Sequence, residues 1–208
     1  VFVQSSQGLK ERIVAKAVVV ASGGFESNRE WLRDAWGPAA DQFLIRGCRF
    51  NMGVLLRDLI AKGAQSIGDP TQGHCVAIDA RSPPYDGGIV TRIDCVSLGI
   101  VVNKYAQRFY DEGEDFWPKR YAIWGRLVAQ QPDQIAYSII DAKAQGRFMP
   151  PVFPGETAQD IGTLATRLGL NAQALTATVE AYNQAVVPGE FDHAVLDNCH
   201  TQSITPAK

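Results

Sequence analysis

Hydrophobic and polar positions change their spacing several times along this chain, and each change marks a predicted element. Val1-Phe2-Val3 and Ala17-Val18-Val19-Val20-Ala21 are short apolar runs separated by a polar turn around Gly8. They predict strands over Val1 to Gln4 and Arg12 to Ala21, the second apolar on both faces like a strand buried in an α/β sheet. Helical spacing follows. Ser27 and Glu30 stand at capping-box distance, which predicts a helix from there to Gly37-Pro38. Met52 to Lys62 sets Val54, Leu55, Leu56, Leu59 and Ile60 on one face, with Gly63 as its C-cap. Beyond the turn Gly68-Asp69-Pro70 the pattern shortens to strand lengths. Ile89 to Ile93 is one, and Leu98 to Asn103 pairs with Gln107 to Tyr110 across a tight turn. Pro118 suits the first turn of a helix to about Gln130, which Pro132-Asp133 breaks. Ile135 to Asp141 reads as a strand, and Gly146 to Gly155 as an irregular crossing. Thr157-x-x-Asp160 opens a helix closed by Gly169, Asn171 caps another, and residues 187–208 read as a linker.

Composition narrows the class. With 46% hydrophobic and 20% charged residues the chain is an ordinary globular one, and at 208 residues it can build one good core or two small ones. A net charge of −2 supplies no basic field for nucleic acid. No apolar run approaches the roughly 18 residues of a membrane helix. Cys48, Cys75, Cys95 and Cys199 form no C-x-x-C pair, which argues against a disulfide framework or zinc ribbon and for a reducing compartment. Metal binding is not expected. The chain opens without methionine in a strand pattern and reads as a piece of a longer polypeptide.

Two stretches carry candidate chemistry. Ser22-Gly23-Gly24-Phe25 joins a strand to a helix, a geometry that brings backbone N–H groups against a phosphate or cofactor edge, although a glycine pair there is also ordinary turn chemistry. No G-x-G-x-x-G or Walker lysine occurs. From Arg108 to Arg120, seven charged residues interleave with four aromatics, which marks the wall of a site rather than a solvated loop.

Four blocks resemble the fumarate reductase and succinate dehydrogenase flavoprotein superfamily. They are Lys16 to Phe25, similar to a strand ending in A-T-G-G-F; Val102-Asn103-Lys104 with Arg108-Phe109-x-x-Glu112; Ile139-Ile140-Asp141; and Leu164-Ala165 with Leu168-Gly169-Leu170, Leu175, Thr178-Val179 and Tyr182-Asn183. Gly68 to Gln72, Tyr110 to Asp115 and Trp117 to Arg126 resemble tricarballylate dehydrogenases most, and the related fused flavoprotein of cobalamin biosynthesis. The resemblance implies an α+β fold: part of the α/β FAD-binding domain over residues 1–66, a capping substrate domain over 67–186, and a linker over 187–208. It implies an FAD-dependent dehydrogenase acting on a CH–CH bond of a polycarboxylate, tricarballylate to cis-aconitate. The alternatives are another superfamily activity, on fumarate or a ketosteroid, or a non-catalytic binding module of the same cap fold.

For individual residues the resemblance implies FAD contacts at Ala21, Ser22, Gly23, Gly24 and Gly53. This chain alone is expected not to retain FAD, because the family's other glycine segments are not in it. Arg120 and His74 are the implied catalytic residues; Thr91, Arg92 and Lys119 are implied substrate contacts. Three substrate carboxylates favour arginine, whose rigid fork meets them bidentately. A guanidinium is a poor base, so Arg120 is read as an electrostatic carboxylate binder, against the bland alternative of a surface arginine paired with Glu114 or Asp115. His74 can bind a carboxylate or relay a proton, against a core-histidine reading. Arg92 stands where the family has a glutamate and Cys95 where it has a relay arginine, so that relay is in doubt. Glu112 is expected to be a structural partner of Arg108. The implied partners are the remaining parts of the FAD domain and an iron–sulfur or membrane electron-transfer protein, with a cytoplasmic or partner-mediated membrane location.

Overall fold

The computed structural model describes residues 1–192 and 194–208. The chain begins with an antiparallel ribbon of β1 (Phe2–Gln4) and β2 (Lys10–Arg12), turned at Gly8. Two helices follow, α1 (Arg29–Trp36) and α2 (Val54–Ala61). The centre holds β3 (Ile100–Asn103), the short helices α3 (Trp117–Arg120) and α4 (Trp124–Ala129), and β4 (Ala136–Ile139). Two further helices, α5 (Ile161–Arg167) and α6 (Ala172–Ala185), lead to a ribbon of β5 (Val186–Val187) and β6 (His200–Thr201).

All four residues of β3 are buried, because both faces of the β3–β4 ribbon are covered. Successive side chains point to opposite faces. Ile100 and Val102 therefore pack with Ile139, Ala165, Leu170 and Leu175 beneath α5 and α6. Val101 instead joins Val96 and Trp124, edged by Phe109, Tyr110 and Trp117. A third cluster, Leu32, Ala40 and Ile45, gathers Phe25, Trp36, Phe43 and Tyr85 around α1. The result is a mixed assembly of helices and small sheets.

Several expected elements take a different form. Residues 13–21 are not a strand, and Val19 is 91% exposed. A segment apolar on both faces needs sheet neighbours to pair its backbone and layers to cover it, and no described strand lies beside it. The α/β sheet expected for this part of the FAD domain is thus not formed within the described residues. For the same reason α2, which is shorter than the expected Met52 to Lys62 and has Lys62 rather than Gly63 as its C-cap, buries no residue. Ser27 does not cap α1; Asn28 does, accepting from the Trp31 N–H, while Ser27 donates to the Cys48 carbonyl. Asp160 rather than Thr157 caps α5.

The principal partner of β3 is β4, not residues 107–110, which keep one bridge, Val102 to Arg108. Asn103 Oδ1 accepts from the N–H groups of Tyr105 and Gln107 and closes that turn tightly. The predicted helix over 118–130 is broken into α3, a 3-10 turn and α4. In residues 187–208, β5 pairs β6, and Lys208 Nζ donates to the Ser97 and Gly99 carbonyls. The expected partnership of Arg108 with Glu112 is present and fully buried. No described helix is long and apolar enough to cross a membrane.

Candidate active site

A cleft of about 1430 Å³ opens between the α1 region and the central helices, its wall including Gly24, Glu26, Arg46, His74, Cys95 and Ser138. The segment carrying His74 is fixed at several points. Asp69 accepts from the Thr71 N–H at 2.8 Å and starts a 3-10 turn, and Trp36 Nε1 donates to the Pro70 carbonyl at 3.1 Å. Arg126 Nη1 donates to Gln72 Oε1 at 2.7 Å. On the far side Cys75 N–H donates to the Ala122 carbonyl at 3.0 Å, and Gly125 N–H to the Cys75 carbonyl at 2.8 Å. His74 thereby meets the Tyr121 ring edge-on at 5.1 Å.

Arg92 reaches the same tyrosine from another segment. Its guanidinium lies 4.5 Å from the Tyr121 ring centre, within cation–π range. Residues 91–93 run antiparallel to 77–79, with Ile93 N–H to the Ala77 carbonyl at 3.0 Å and Asp79 N–H to the Thr91 carbonyl at 2.9 Å. Arg92 Nη2 donates to Asp94 Oδ2 at 2.9 Å. Its Nε is 2.6 Å from Asp94 Oδ1 but makes no hydrogen bond there, so the pair is close without being a true fork. Trp117 Nε1 takes the same Oδ1 at 2.9 Å. Arg46, on the cleft wall, completes the group electrostatically: Arg92, Tyr121 and Asp94 all act on it.

The structure therefore joins two of the expected residues, His74 and Arg92, around Tyr121. Thr91 is next to them but buried, its hydroxyl donating to the Gly88 carbonyl at 2.7 Å. Of the expected catalytic and substrate-binding residues His74 lines the cleft, whereas Thr91, Arg92, Lys119 and Arg120 do not, nor does Tyr121. The Arg120 fork is engaged by Glu114, with Nε donating at 2.8 Å, and by the Tyr110 hydroxyl at 3.3 Å. Lys119 pairs with Asp115 at 3.1 Å. Sequence reasoning passed over Arg46, Asp94 and Tyr121. Arg92-x-Asp94 in an extended segment puts both side chains on one face, a signal that could have found Asp94. Arg46 has no comparable signal.

Burial, and then the positive charges of Arg46 and Arg92, hold the His74 imidazole below its usual value, so it is neutral at pH 7. In the unfolded chain it regains the ordinary pKa of about 6.5. Its neutrality therefore supports folding above that pH, and this support is lost as pH falls through the lower folded-state value. An NMR titration of the His74 ring should show a midpoint under 6.5, moving up when a polycarboxylate binds; a midpoint at or above 6.5 without ligand contradicts this. The thiols are not reactive candidates: burial pushes Cys75 up to about 11 and also raises Cys95, which shares a 3.3 Å contact with Ser138 Oγ.

Comparison with known sequences decides the lineage. The family described as FAD binding domain matches residues 1–205. The chain belongs to this FAD-binding family. A relative, the NADH:fumarate oxidoreductase of Klebsiella pneumoniae (strain 342), is 26% identical over 186 residues, covering 84% of this chain and 18% of that protein's length. No solved structure matches. The chain spans less than a fifth of the length of the relative it matches.

The expected FAD contacts of this FAD-binding chain form two neighbouring turns. Gly23 has φ +78°, and a Cβ there would fall 2.9 Å from Asn51 Oδ1; Gly24 borders the cleft. Gly53, at φ +69°, heads α2, and a Cβ would fall 2.5 Å from the Trp31 ring and 2.7 Å from Phe25 Cβ. Asn51 also donates to Glu26. Both positive-φ glycines are packed against the protein's own side chains, Gly23 against Asn51 and Gly53 against Trp31 and Phe25, and Gly24 alone of the three lines the cleft. Ala21 and Ser22 precede Gly23 in exposed backbone.

Proposed function

We propose that this chain forms the substrate-facing part of an FAD-dependent dehydrogenase that acts on a CH–CH bond flanked by carboxylates, of the tricarballylate to cis-aconitate type. The observation that carries the reading is that His74 and Arg46 stand on the cleft wall, with Arg92 meeting His74 across the Tyr121 ring and its partner Asp94 already engaged by Arg92 and Trp117. Positive charge left over at a cleft wall suits an anionic substrate. Residues 67–186 act as the substrate cap, and 1–66 contribute the wall of Ala21, Ser22, Gly23, Gly24 and Gly53 to the FAD site. The rest of the FAD domain completes that site.

Bound FAD supplies the two-electron acceptor. Arg92 holds a substrate carboxylate and stabilises negative charge developing beside the C–H bond that breaks. His74, neutral and partly buried, binds the neighbouring carboxylate or takes up the proton from the adjacent carbon. Arg120 joins the substrate only by exchanging Glu114 for a substrate carboxylate, and Lys119 lies beside it on the same short helix. Reduction of fumarate is the second reading, favoured by the likeness to the NADH:fumarate oxidoreductase.

The test is steady-state turnover of tricarballylate and of fumarate by the intact, FAD-loaded enzyme that contains this chain, and by its His74→Ala, Arg92→Ala and Arg120→Ala forms. Arg92→Ala and His74→Ala should each lower kcat/KM by roughly 10²-fold or more, the scale of losing a general acid–base or oxyanion partner. Unchanged turnover in both removes the assignment. Preference for fumarate over tricarballylate selects the second reading.

A further inference from the structure

Arg46 is anomalous among the charged groups of the cleft. Its backbone carbonyl accepts from the Gly88 N–H at 3.0 Å, and Ile45 bridges to Tyr85, so the segment is pinned in place. Its guanidinium, by contrast, makes no hydrogen bond and no ion pair among the described residues, and Nη1 is buried without a partner. No carboxylate lies within ion-pairing distance of it among those residues. Asp94 is spent on Arg92 and Trp117, and Glu26, on the same cleft wall, accepts from Asn51. A buried donor without an acceptor costs about 1–3 kcal/mol, more when charged, so folded proteins rarely keep one that nothing will fill. Folding alone gives no reason for a cation here beside a second arginine.

We propose that Arg46 is a specificity-determining residue: its guanidinium binds a carboxylate of the substrate from the cleft side, opposite the Arg92–Asp94 pair. The inference rests on the polycarboxylate reading above and deepens it, because it gives the ligand a second anionic group and says which side chain receives it. One anion placed there satisfies three things together. It supplies an acceptor to Arg46 Nη1, it neutralises a site that holds two arginines against one carboxylate, and it relieves the repulsion the arginines exert on a protonated His74. The geometry of a planar fork favours a carboxylate or a phosphate over a halide. The carboxylate is preferred because the ligand proposed for this cleft carries carboxylates, and pyrophosphate in the experiment below separates the two.

The experiment combines ligand-free thermal stability with calorimetric binding of tricarballylate, of propionate and of pyrophosphate, for the purified protein and for Arg46→Gln, Arg46→Lys and Arg92→Ala. Because Arg46 bonds to nothing, Arg46→Gln should leave the ligand-free Tm unchanged or raised, while weakening tricarballylate binding by roughly 10- to 100-fold, the range of one charge-assisted pair. Propionate, with a single carboxylate, should bind both forms alike, and Arg46→Lys should recover part of the loss. A Tm several degrees lower in Arg46→Gln makes Arg46 structural and overturns the proposal. So does tricarballylate binding that Arg46→Gln leaves intact while Arg92→Ala abolishes it, and in that case the polycarboxylate reading survives. Loss of pyrophosphate binding alone assigns Arg46 to a phosphate and also overturns it. Failure of the unaltered protein to bind tricarballylate overturns both readings.

Discussion

Glu112→Gln should lower the unfolding free energy by about 3–5 kcal/mol, the scale of removing one partner from a buried ion pair. Both side chains are sealed, at 3% exposure for Arg108 and 0% for Glu112. Glu112 Oε1 accepts from the β3 amide of Val101 at 2.7 Å and from Arg108 Nε at 3.0 Å, while Oε2 accepts from Arg108 Nη2. The carboxylate therefore ties a strand amide and a cation in one place. Arg108 has two further acceptors, the carbonyls of Pro206 at 2.6 Å and Ala207 at 3.4 Å, but these satisfy protons and leave its charge uncompensated. The Lys208 ammonium, close by over the Tyr182 ring, adds to the repulsion. Glutamine keeps an acceptor for Val101, so the loss isolates the charge. Urea unfolding checks this, with the midpoint falling and the slope unchanged. The double variant Arg108→Met/Glu112→Gln should recover more than half of the loss, since the stranded cation is gone. A Glu112→Gln midpoint equal to that of the unaltered protein contradicts the account.

Local signals in the sequence match the structure where one element carries its own instructions. Gly169 with φ +70° ends the α5 region, Asn171 caps α6, and Gly37-Pro38 ends α1, each set by a residue's own backbone preference. Strand β3 is legible as an apolar run, but its partner is not, because β4 lies more than thirty residues on and pairing across that distance leaves no local trace. Residues 17–21 show the opposite failure. Their apolar run predicts a covered strand, but the segment is exposed, and a strand requires neighbours that the described residues do not supply. The site divides along the same line. His74 and Arg92 were found through the resemblance, whereas Arg46 sits in an aperiodic loop and acquires its neighbours only when residues 84–88 fold against it.

Gly125→Ala should reduce turnover of the proposed substrate by on the order of 10²-fold with the protein still folded. The glycine sits in α4 where it touches the segment bearing His74. A methyl group there would fall 2.7 Å from the Cys75 carbonyl carbon, 2.7 Å from Cys75 Sγ and 2.7 Å from the Val76 oxygen. Two of those atoms are backbone and cannot rotate away, so the 74–76 segment must move off the helix. The Gly125 N–H bond to the Cys75 carbonyl, at 2.8 Å, then lengthens or breaks. Overpacking of this kind costs about 1–3 kcal/mol, tolerable for a chain with three separate core clusters. The larger consequence is positional: a shift near 1 Å at a group that must meet a reacting carbon can cost about 10²-fold in rate. Gly155→Ala is the control, since its added Cβ meets nothing within 4 Å. In Gly125→Ala the His74 titration should move toward the ordinary imidazole value as the ring leaves its arginine neighbours, while Gly155→Ala leaves it in place. An unchanged His74 midpoint together with full activity in Gly125→Ala means that the α4 contact does not position the histidine.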